Sequence, residues 1–374
     1  FGTQIINHTG KDGTGYKGNL DLDGSTITFT GLEPINAGNA ADTILNLPLA
    51  TVNNATVQNN AAAGSIEIID NGATFEDTVI PNPTNSLTVN LGGSGDTLTV
   101  QTLDAAFNPA AASPLVINGG SSGDTLNVQS TSRAGGAAYN GLTFNGLGGN
   151  DTVNVGSAGN SLDDILSPVT VNGDAGASDA LNINDQGDTT AGMTYSVTNS
   201  TVQRTGTAII NYATIESLVL NSGSDAGGDQ INITSTAAAA PVTVNAGPGD
   251  DKIDVGSPGE SLDGILGAVS INGDAASADT LNINDQSDGD ASTYEVTSTT
   301  VNRTGAATIT YATVESLILN ASLGGDTINV RGTQAATPLT VNASAGADTI
   351  NIGNGSNSLD NILGTVLVNG GADA

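Results

Sequence analysis

The chain repeats itself, and this repeat constrains the fold more than any other feature of the sequence. The words "DTVNVGSAGNSLDDILSPVTVNGD", "DKIDVGSPGESLDGILGAVSINGD" and "DTINIGNGSNSLDNILGTVLVNGG" begin at Asp151, Asp251 and Asp348, so the long period is about 100 residues. A second pair, "VQRTGTAIINYATIESLVLN" and "VNRTGAATITYATVESLILN", begins at Val202 and Val301. Self-similarity of this kind predicts an array of equivalent structural units stacked on one another.

A shorter period lies inside the long one. Short strands of type V-x-V end in Asn, usually before Gly, and most neighbouring Asn residues are 22 to 28 positions apart. Asn199 and Ser298 fill the two longer gaps in this series. Because Asn tolerates the left-handed backbone of tight turns, we expect one such Asn in each turn of the fold and a ladder of stacked amides. The predicted ladder consists of Asn90, Asn118, Asn145, Asn172, Asn221, Asn245, Asn272, Asn320, Asn342 and Asn369.

This period predicts an all-β chain folded as a parallel β-helix, or β-solenoid, with coils of about 22–28 residues and four coils in each repeat of about 100 residues. A single coil cannot bury its Val, Ile and Leu side chains, because its top and bottom are open strand edges. Stacked coils pair backbone to backbone at a spacing of about 4.8 Å, so some fifteen coils would form a rod on the order of 70 Å long. The alternative is a string of β-sandwich modules, for which hairpin signals every 8–12 residues are typical.

The repeats suggest four segments. Residues 1–85 form a divergent N-terminal solenoid repeat, and residues 86–180 form coils whose turns carry G-D-T words. Residues 181–280 and 281–374 are each one repeat of about 100 residues, and we predict that the last of them is uncapped at its C-terminal end.

Charge and composition exclude several classes of function. The net charge is −31, which is opposite to the basic surface that a nucleic-acid binder needs. No apolar run approaches the roughly 20 residues of a membrane span. Aromatic residues make up 3% of the chain and cysteine is absent, so we expect a narrow aliphatic core without disulfides. High acidity favours solubility and cation binding.

Catalysis is not predicted. The chain has one histidine, His8, and its seven basic residues are spread along the sequence. Arg204 and Arg303 occupy equivalent positions of two repeats, as do Glu216 and Glu315, and residues that recur with an architecture are more often structural. These glutamates are expected either to pair with the two arginines or to remain solvated. We therefore expect a protein that is not an enzyme.

Small residues and Asp mark a second series of turns, in words such as "GGSGDTLTV" and "GLGGNDTVNV". These words resemble the glycine- and aspartate-rich repeats of RTX-type proteins of bacterial cell surfaces and extracellular filaments. The resemblance implies a β-solenoid that binds calcium between adjacent turns. In this chain the Gly-to-Asp spacing is usually one residue shorter, and each word occurs once per coil instead of in tandem. The calcium ligands implied are Asp96, Asp124, Asp151, Asp179, Asp251, Asp326 and Asp348.

The spacing of these aspartates gives an independent argument about their contacts. Asp96, Asp124, Asp151 and Asp179 are 28, 27 and 28 residues apart, so a solenoid places them in one column. Carboxylates about 5 Å apart repel one another, and Ca²⁺ could bridge them through its oxygen ligands. Alternatively, each Asp accepts backbone N–H bonds within its own turn and stays solvated. Calcium is the one cofactor that the sequence suggests.

The sequence ends at one point of its repeat and begins at the point that would follow. The final "VNGGADA" followed by the initial "FGTQIINHTG" recreates the internal word "VNGDAGASDALNINDQG" almost in register. This phase predicts head-to-tail stacking of terminal coils, because a heterologous contact that does not close produces a filament. The predicted interface consists of Gln4, Ile5, Ile6, Asn7, Val366, Val368 and Asn369.

Taken together, these features predict a structural subunit of an extracellular filament or cell-surface fibre, with itself as the main partner. The alternative is a calcium-dependent adhesin or surface-layer module, a segment of a longer surface protein that contacts surface polysaccharide. Neither class involves nucleic acid or a membrane span. Both place the chain outside the cell or on its surface.

Overall fold

The computed structural model describes residues 1–32, 34–112, 115–256, 259–274 and 278–371. The chain forms two compact units. Unit 1 comprises Phe1–Asn184 and Gly206–Glu216, and unit 2 comprises Asp185–Thr205 and Ser217–Ala374. The described residues contain strands and turns and no helix.

The strands are short, mostly of four to six residues, and their inward and outward side chains alternate. In chain order they are β1 (Thr3–Asp12), β2 (Gly15–Leu22), β3 (Ser25–Thr30), β4 (Ile35–Asn36), β5 (Asp42–Asn46), β6 (Asn54–Asn59), β7 (Ser65–Asp70), β8 (Thr78–Pro81), β9 (Ser86–Asn90), β10 (Thr97–Val100), β11 (Leu115–Gly120), β12 (Thr125–Val128), β13 (Ser132–Arg133), β14 (Ala137–Ala138), β15 (Leu142–Leu147), β16 (Thr152–Val155), β17 (Val169–Asn172), β18 (Ala180–Asn184), β19 (Thr194–Val197), β20 (Thr201–Arg204), β21 (Ile210–Ala213), β22 (Ser217–Asn221), β23 (Gln230–Ile233), β24 (Val242–Asn245), β25 (Lys252–Val255), β26 (Val269–Asn272), β27 (Thr280–Asn284), β28 (Thr293–Val296), β29 (Thr300–Arg303), β30 (Ile309–Ala312), β31 (Ser316–Asn320), β32 (Thr327–Val330), β33 (Leu339–Asn342), β34 (Thr349–Ile352) and β35 (Val366–Asn369).

Unit 1 contains two parallel series of strands. One runs β1–β5–β9–β11–β15–β17–β21, and the other runs β6–β10–β12–β16–β18. Antiparallel strands extend both series: β2 and β3 continue from β1, and β7 and β8 continue from β6. Successive strands of the chain alternate between the two series, so each pair of strands makes one coil of a parallel solenoid.

Unit 2 repeats this arrangement. One parallel series runs β19–β23–β25–β27–β31–β33–β35. The other consists of β22–β24–β26–β30 and β28–β32–β34, which the antiparallel strand β29 joins. The prediction of a parallel β-solenoid is therefore confirmed, and the β-sandwich alternative is wrong.

The core contains aliphatic columns, together with buried aromatic side chains such as Phe75, Phe144 and Tyr195. Leu98, Leu126, Val153 and Leu181 are direct neighbours on consecutive strands, and each is at most 1% exposed. Each such side chain contributes about 1.5–3 kcal/mol when it is fully buried. A one-residue slip would move the whole column to solvent, so the aliphatic pattern fixes the register of every coil.

Some coils are longer than the predicted 22–28 residues. Paired strands are 22 to 28 residues apart over most of the chain, for example Thr97 and Thr125. Where a step is longer, an antiparallel hairpin is inserted, β19–β20 in one repeat and β28–β29 in the next. Asn199 and Ser298 lie at the tips of these hairpins, outside the amide ladder, while β19 and β28 also pair with β23 and β32.

Candidate functional site

The Asn residues of the repeat bond to one another from coil to coil. In unit 1 each amide Nδ2 donates to the Oδ1 of the preceding coil: Asn90 to Asn46 at 2.6 Å, Asn118 to Asn90 at 2.7 Å, and Asn145 to Asn118 at 2.9 Å. Asn172 continues the series by donating to Asn145 at 2.9 Å. The side chains are half-buried near the ends of their strands. Each of these hydrogen bonds joins two neighbouring coils.

Unit 2 carries two further amide series. Asn245 donates to Asn221 at 2.7 Å and Asn272 donates to Asn245 at 2.8 Å. The second series joins Asn284, Asn320, Asn342 and Asn369 over 2.9, 2.6 and 2.7 Å. Asn284 was absent from the predicted ladder, although the word "LNIN" that contains it occurs at both Leu181 and Leu281.

The glycine that follows a ladder Asn is required by the neighbouring coil. A Cβ at Gly146 would lie 2.2 Å from Asp151 Oδ2 and 2.6 Å from the carbonyl oxygen of Gly173. At Gly173 a Cβ would lie 2.1 Å from the carbonyl oxygen of Thr214 and 2.6 Å from Asp179 Oδ2. The Asn-Gly words thus place a small residue where two coils and a buried carboxylate meet.

The Asp residues of the turns form a second set of inter-coil bonds. In unit 1 the backbone N–H of Asp96 donates to Asp124 Oδ1, that of Asp124 to Asp151, and that of Asp151 to Asp179, each at 2.7 Å. Glu216 ends the series, because its Oε2 accepts the N–H of Asp179 at 2.8 Å. Each carboxylate therefore holds the backbone of the preceding coil.

Unit 2 contains the same device. The N–H of Asp229 donates to Asp251 at 2.6 Å, that of Asp251 to Asp279 at 2.9 Å, and that of Asp279 to Glu315 at 3.0 Å. Asp326 likewise donates its N–H to Asp348 at 2.9 Å. The hypothesis that Glu216 and Glu315 pair with Arg204 and Arg303 is wrong, because both glutamates bond backbone N–H groups of the Asp turns.

These carboxylates are buried, and burial disfavours their charged form. In unit 1, burial raises the pKa of Asp124 to about 7, with repulsion from Asp96 and Asp151 adding to the shift. Burial also raises the pKa of Asp151 to about 6. In unit 2 the pKa values of Asp229 and Asp251 are raised to about 7 and about 6, again mainly by burial. Backbone N–H bonds act in the opposite direction at each site.

The geometry bears on the two hypotheses for the Asp series, which are calcium binding between coils and hydrogen bonding within each solvated turn. Asp124 and Asp151 are 1% and 2% exposed, so they are not solvated, and the N–H groups they accept belong to the adjacent coil. The second oxygen of each lies in the turn without a well-formed hydrogen bond. Within the described ranges, no group of three or more His, Cys, Asp or Glu side chains is arranged to hold a metal ion. Calcium binding by the predicted ligands stays a prediction.

Each inserted hairpin of unit 2 is anchored by a buried ionic cluster that the sequence analysis missed. Arg204 Nη1 donates to both carboxylate oxygens of Asp185, at 3.0 and 2.9 Å, and also bonds Asp188. Tyr195 donates its hydroxyl to Asp185 Oδ2 at 2.6 Å and accepts the N–H of Gly223 at 3.0 Å. These side chains are at most 7% exposed.

The next repeat contains the same cluster. Tyr294 donates to Asp285 Oδ2 at 2.6 Å, and Arg303 Nε lies 2.9 Å from the same oxygen. Arg303 also bonds Asp288 and, at 2.7 Å, the exposed carboxylate of Asp263. The recurrence of "NDQ", "TY" and "RTG" in fixed order was the available signal. A buried arginine shared by two carboxylates is costly to break, because removing it leaves uncompensated charge.

The predicted interface residues lie in very different surroundings. Residues 3–7 belong to β1, which pairs with β5 along one edge and with β2 along the other. The prediction that Gln4, Ile5, Ile6 and Asn7 offer an open edge is therefore wrong, because the β2–β3 hairpin covers them. Val366, Val368 and Asn369 belong to β35, for which β33 is the only partner strand among the described residues.

His8 belongs to the packing of the N-terminal coil. Its Nε2 lies 2.9 Å from Thr78 Oγ1, and its ring contacts Phe29 and Phe75 at centroid distances of 6.0 and 5.1 Å. Burial lowers the pKa of His8 to about 4. The imidazole is thus a neutral core group at physiological pH.

Comparison with protein-family models and with curated proteins finds no match to this sequence. Among the described residues, no helix is long and apolar enough to cross a membrane. The functional interpretation therefore depends on the geometry of the chain itself.

Proposed function

We propose that this chain is a non-catalytic structural protein, a β-solenoid element of an extracellular filament or cell-surface fibre. The observation that carries the proposal is the use made of the repeated polar residues. The Asn and Asp side chains that recur most regularly bond a neighbouring coil, as Asn118 and Asp124 do with the coil before them. Repetition of this kind supports mechanical continuity along the stack.

The surface at β35 supports assembly by addition of a further coil. In a parallel sheet, the N–H and C=O groups of one residue point to the same side of the strand, and those of the next residue point to the other side. The N–H and C=O groups of residues 366 and 368 therefore point away from β33. Val368 is 37% exposed, whereas its neighbour Val341 in the preceding coil is fully buried. Leu359 and Leu363 are also exposed beside it, at 63% and 66%. In the assembly we propose, a second copy covers this edge.

The receiving surface differs from the one that the sequence suggested. Because β1 is paired along both edges, the second copy would add to the outer edge of β3, whose only partner among the described strands is β2. Five of the six β3 residues are exposed, including Ile27 at 55%. Pairing β3 with β35 would join two strand edges that have no further partner strand among the described residues.

Analytical ultracentrifugation and electron microscopy of the purified chain test this proposal. The wild-type chain should form oligomers or filaments that grow with concentration. Val368→Lys should prevent this, since stacking would bury the new charge. Leu367→Lys is the matched control, because Leu367 already lies 54% exposed on the solvent side of the same strand. A wild-type chain that stays monomeric at every concentration would refute assembly through β35.

A calcium-dependent adhesin or surface-layer module is the second candidate. It is favoured by the net charge of −31 and by the buried second oxygens of Asp124, Asp151 and Asp251, which have no well-formed hydrogen bond. On this proposal, Ca²⁺ should raise the melting temperature of the chain and Mg²⁺ should not. An Asp124→Asn, Asp151→Asn double variant should lose the response, and an unchanged melting temperature with Ca²⁺ would exclude this function.

A further inference from the structure

One outer face of unit 1 is an array of uncharged polar groups on a strongly acidic protein. The outward residues of β10, β12 and β16 are Thr97 and Thr99, Thr125 and Asn127, and Thr152 and Asn154. Along the rim where these strands end, Gln58, Gln101 and Gln129 follow one another from coil to coil. All these side chains belong to unit 1, so the array is a property of that unit alone.

Two adjoining concavities follow this rim. One has a volume of about 350 Å³ and includes Gln58, Gln101 and Gln129 in its lining. The other has a volume of about 390 Å³ and includes Asn127, Gln129 and Asn154. Gln129, Ser157 and Ala158 line both, so the two concavities form one groove that runs across the coils.

The groove amides are held in place yet keep bonding capacity. Gln101 Nε2 donates to Gln129 Oε1 at 3.2 Å, and Asn154 Nδ2 donates to Asn127 Oδ1 at 2.9 Å. Gln58 Nε2 also donates to Glu67 Oε1 at 2.8 Å, and Asn154 Oδ1 accepts from Asn182 Nδ2 at 2.9 Å. A primary amide has two N–H donors and two acceptor lone pairs, so each of these amides keeps part of its bonding capacity. The remaining capacity pairs well with neighbouring hydroxyl groups, which both donate and accept.

Charge selects among possible ligands. Among the described residues that line the groove, Asp164 is the one charged residue, and Glu67 bonds Gln58 at the rim, while the whole chain carries a net charge of −31. A polyanion would be repelled by the protein as a whole, and a polycation would be drawn to the acidic surfaces elsewhere. A neutral polymer is neither repelled by the acidic protein nor drawn to its other surfaces.

We propose that this groove binds a neutral polysaccharide, with the sugar chain lying along the stacking direction and its hydroxyl groups bonding the Gln and Asn amides of successive coils. The coils repeat every ~4.8 Å, so a polymer of repeating units meets the same pair of groups several times. None of the described residues that line the groove is aromatic, so a sugar ring has no aromatic side chain to stack on. Binding is therefore weak for each unit and becomes measurable only for a polymer that engages several coils at once.

Affinity electrophoresis in native gels tests the proposal, with hydroxyethylcellulose, dextran or soluble starch as neutral probes and alginate as the anionic one. The full chain should be retarded by at least one neutral polymer, relative to its own mobility in a gel without polymer. Gln101→Glu with Gln129→Glu should abolish this retardation. The matched control is Thr143→Glu with Thr170→Glu, which places the same two charges on adjacent strands of the other series of unit 1.

An uncharged variant keeps the test valid if the double Glu variant fails to fold. Gln58→Ala, Gln101→Ala and Gln129→Ala together remove the rim amides without adding charge, and this variant should also lose retardation while its circular dichroism stays native. The proposal is overturned if no neutral polymer retards the chain, if alginate alone does so, or if groove and control variants are retarded equally. It does not depend on self-assembly, because a monomer carries the whole groove.

Discussion

The buried Asp column makes the stability of this protein depend on pH in an unusual direction. Asp124 is 1% exposed, and burial raises its pKa from 3.8 to about 7. The folded state therefore binds a proton over a range in which the unfolded state has lost it. The stability that Asp124 contributes is fully present below about pH 4, is lost as the pH rises through 7, and changes little above that value.

Replacing Asp124 by Asn removes this titrating group, so comparing the variant with the wild type shows how much the group changes the stability. One pKa unit corresponds to 1.36 kcal/mol. A carboxyl group with a pKa of 3.8 in the unfolded chain and about 7 in the folded chain therefore lowers the free energy of unfolding by about 2.5 kcal/mol between about pH 5 and about pH 8. Asn does not titrate. The free energy of unfolding of Asp124→Asn, measured relative to wild type, should therefore rise by about 2.5 kcal/mol between these two pH values.

Urea unfolding followed by far-ultraviolet circular dichroism at the two pH values gives this difference. Any change in local hydrogen bonding caused by Asn is common to both conditions and cancels. Asp23→Asn is the control: Asp23 accepts the N–H groups of Thr3 and Gly2, which lower its pKa, so this variant should gain nothing at high pH. If Asp124→Asn shifts stability equally at both pH values, Asp124 does not carry a raised pKa and the argument fails.

Three further substitutions probe the coil-to-coil contacts by urea unfolding. Gly146→Ala should cost at least about 2 kcal/mol, because its Cβ meets the next coil, whereas Gly289→Ala, with open space around it, should stay within about 0.5 kcal/mol. Asn145→Ala removes two amide bonds and should cost about 1–2 kcal/mol; no loss would mean that the amide ladder contributes no stability. Tyr294→Phe takes a hydroxyl donor from Asp285 and should cost about 1–3 kcal/mol, and a neutral result would contradict a structural role for the cluster.

The solenoid was predictable because its signal is periodic. Apolar residues recur at one spacing, so Leu98 and Leu126 had to occupy the same place in successive coils, and the position of Asn118 followed from the same period. What a period cannot show is which partner a side chain chooses. Asp124 could bond its own turn, an ion or a neighbouring coil, and only the three-dimensional offset between coils places its carboxylate against the N–H of Asp96 in the preceding coil.

Features that interrupt the period were missed. Arg204 and Asp185 are 19 residues apart and meet only because the β19–β20 hairpin folds back, which no repeat spacing indicates. The covering strands β2 and β3 did have a local signal, since "KDGTGY" and "LDGST" contain Asp-Gly turns between alternating residues. These hairpin signals were masked by the apparent match between the two ends of the sequence.

The coil-to-coil bonding also determines how the chain responds to force. Each coil in these series is bonded to the coil before it and the coil after it, through its strands and through single Asn and Asp contacts such as those of Asn118 and Asp151. When tension pulls a coil from the stack, its 22 to 28 residues extend to about 75–100 Å, and the coil beneath keeps its own contacts. We therefore expect a stretched chain to lengthen in steps of one coil, which force spectroscopy on single molecules would resolve as evenly sized increments.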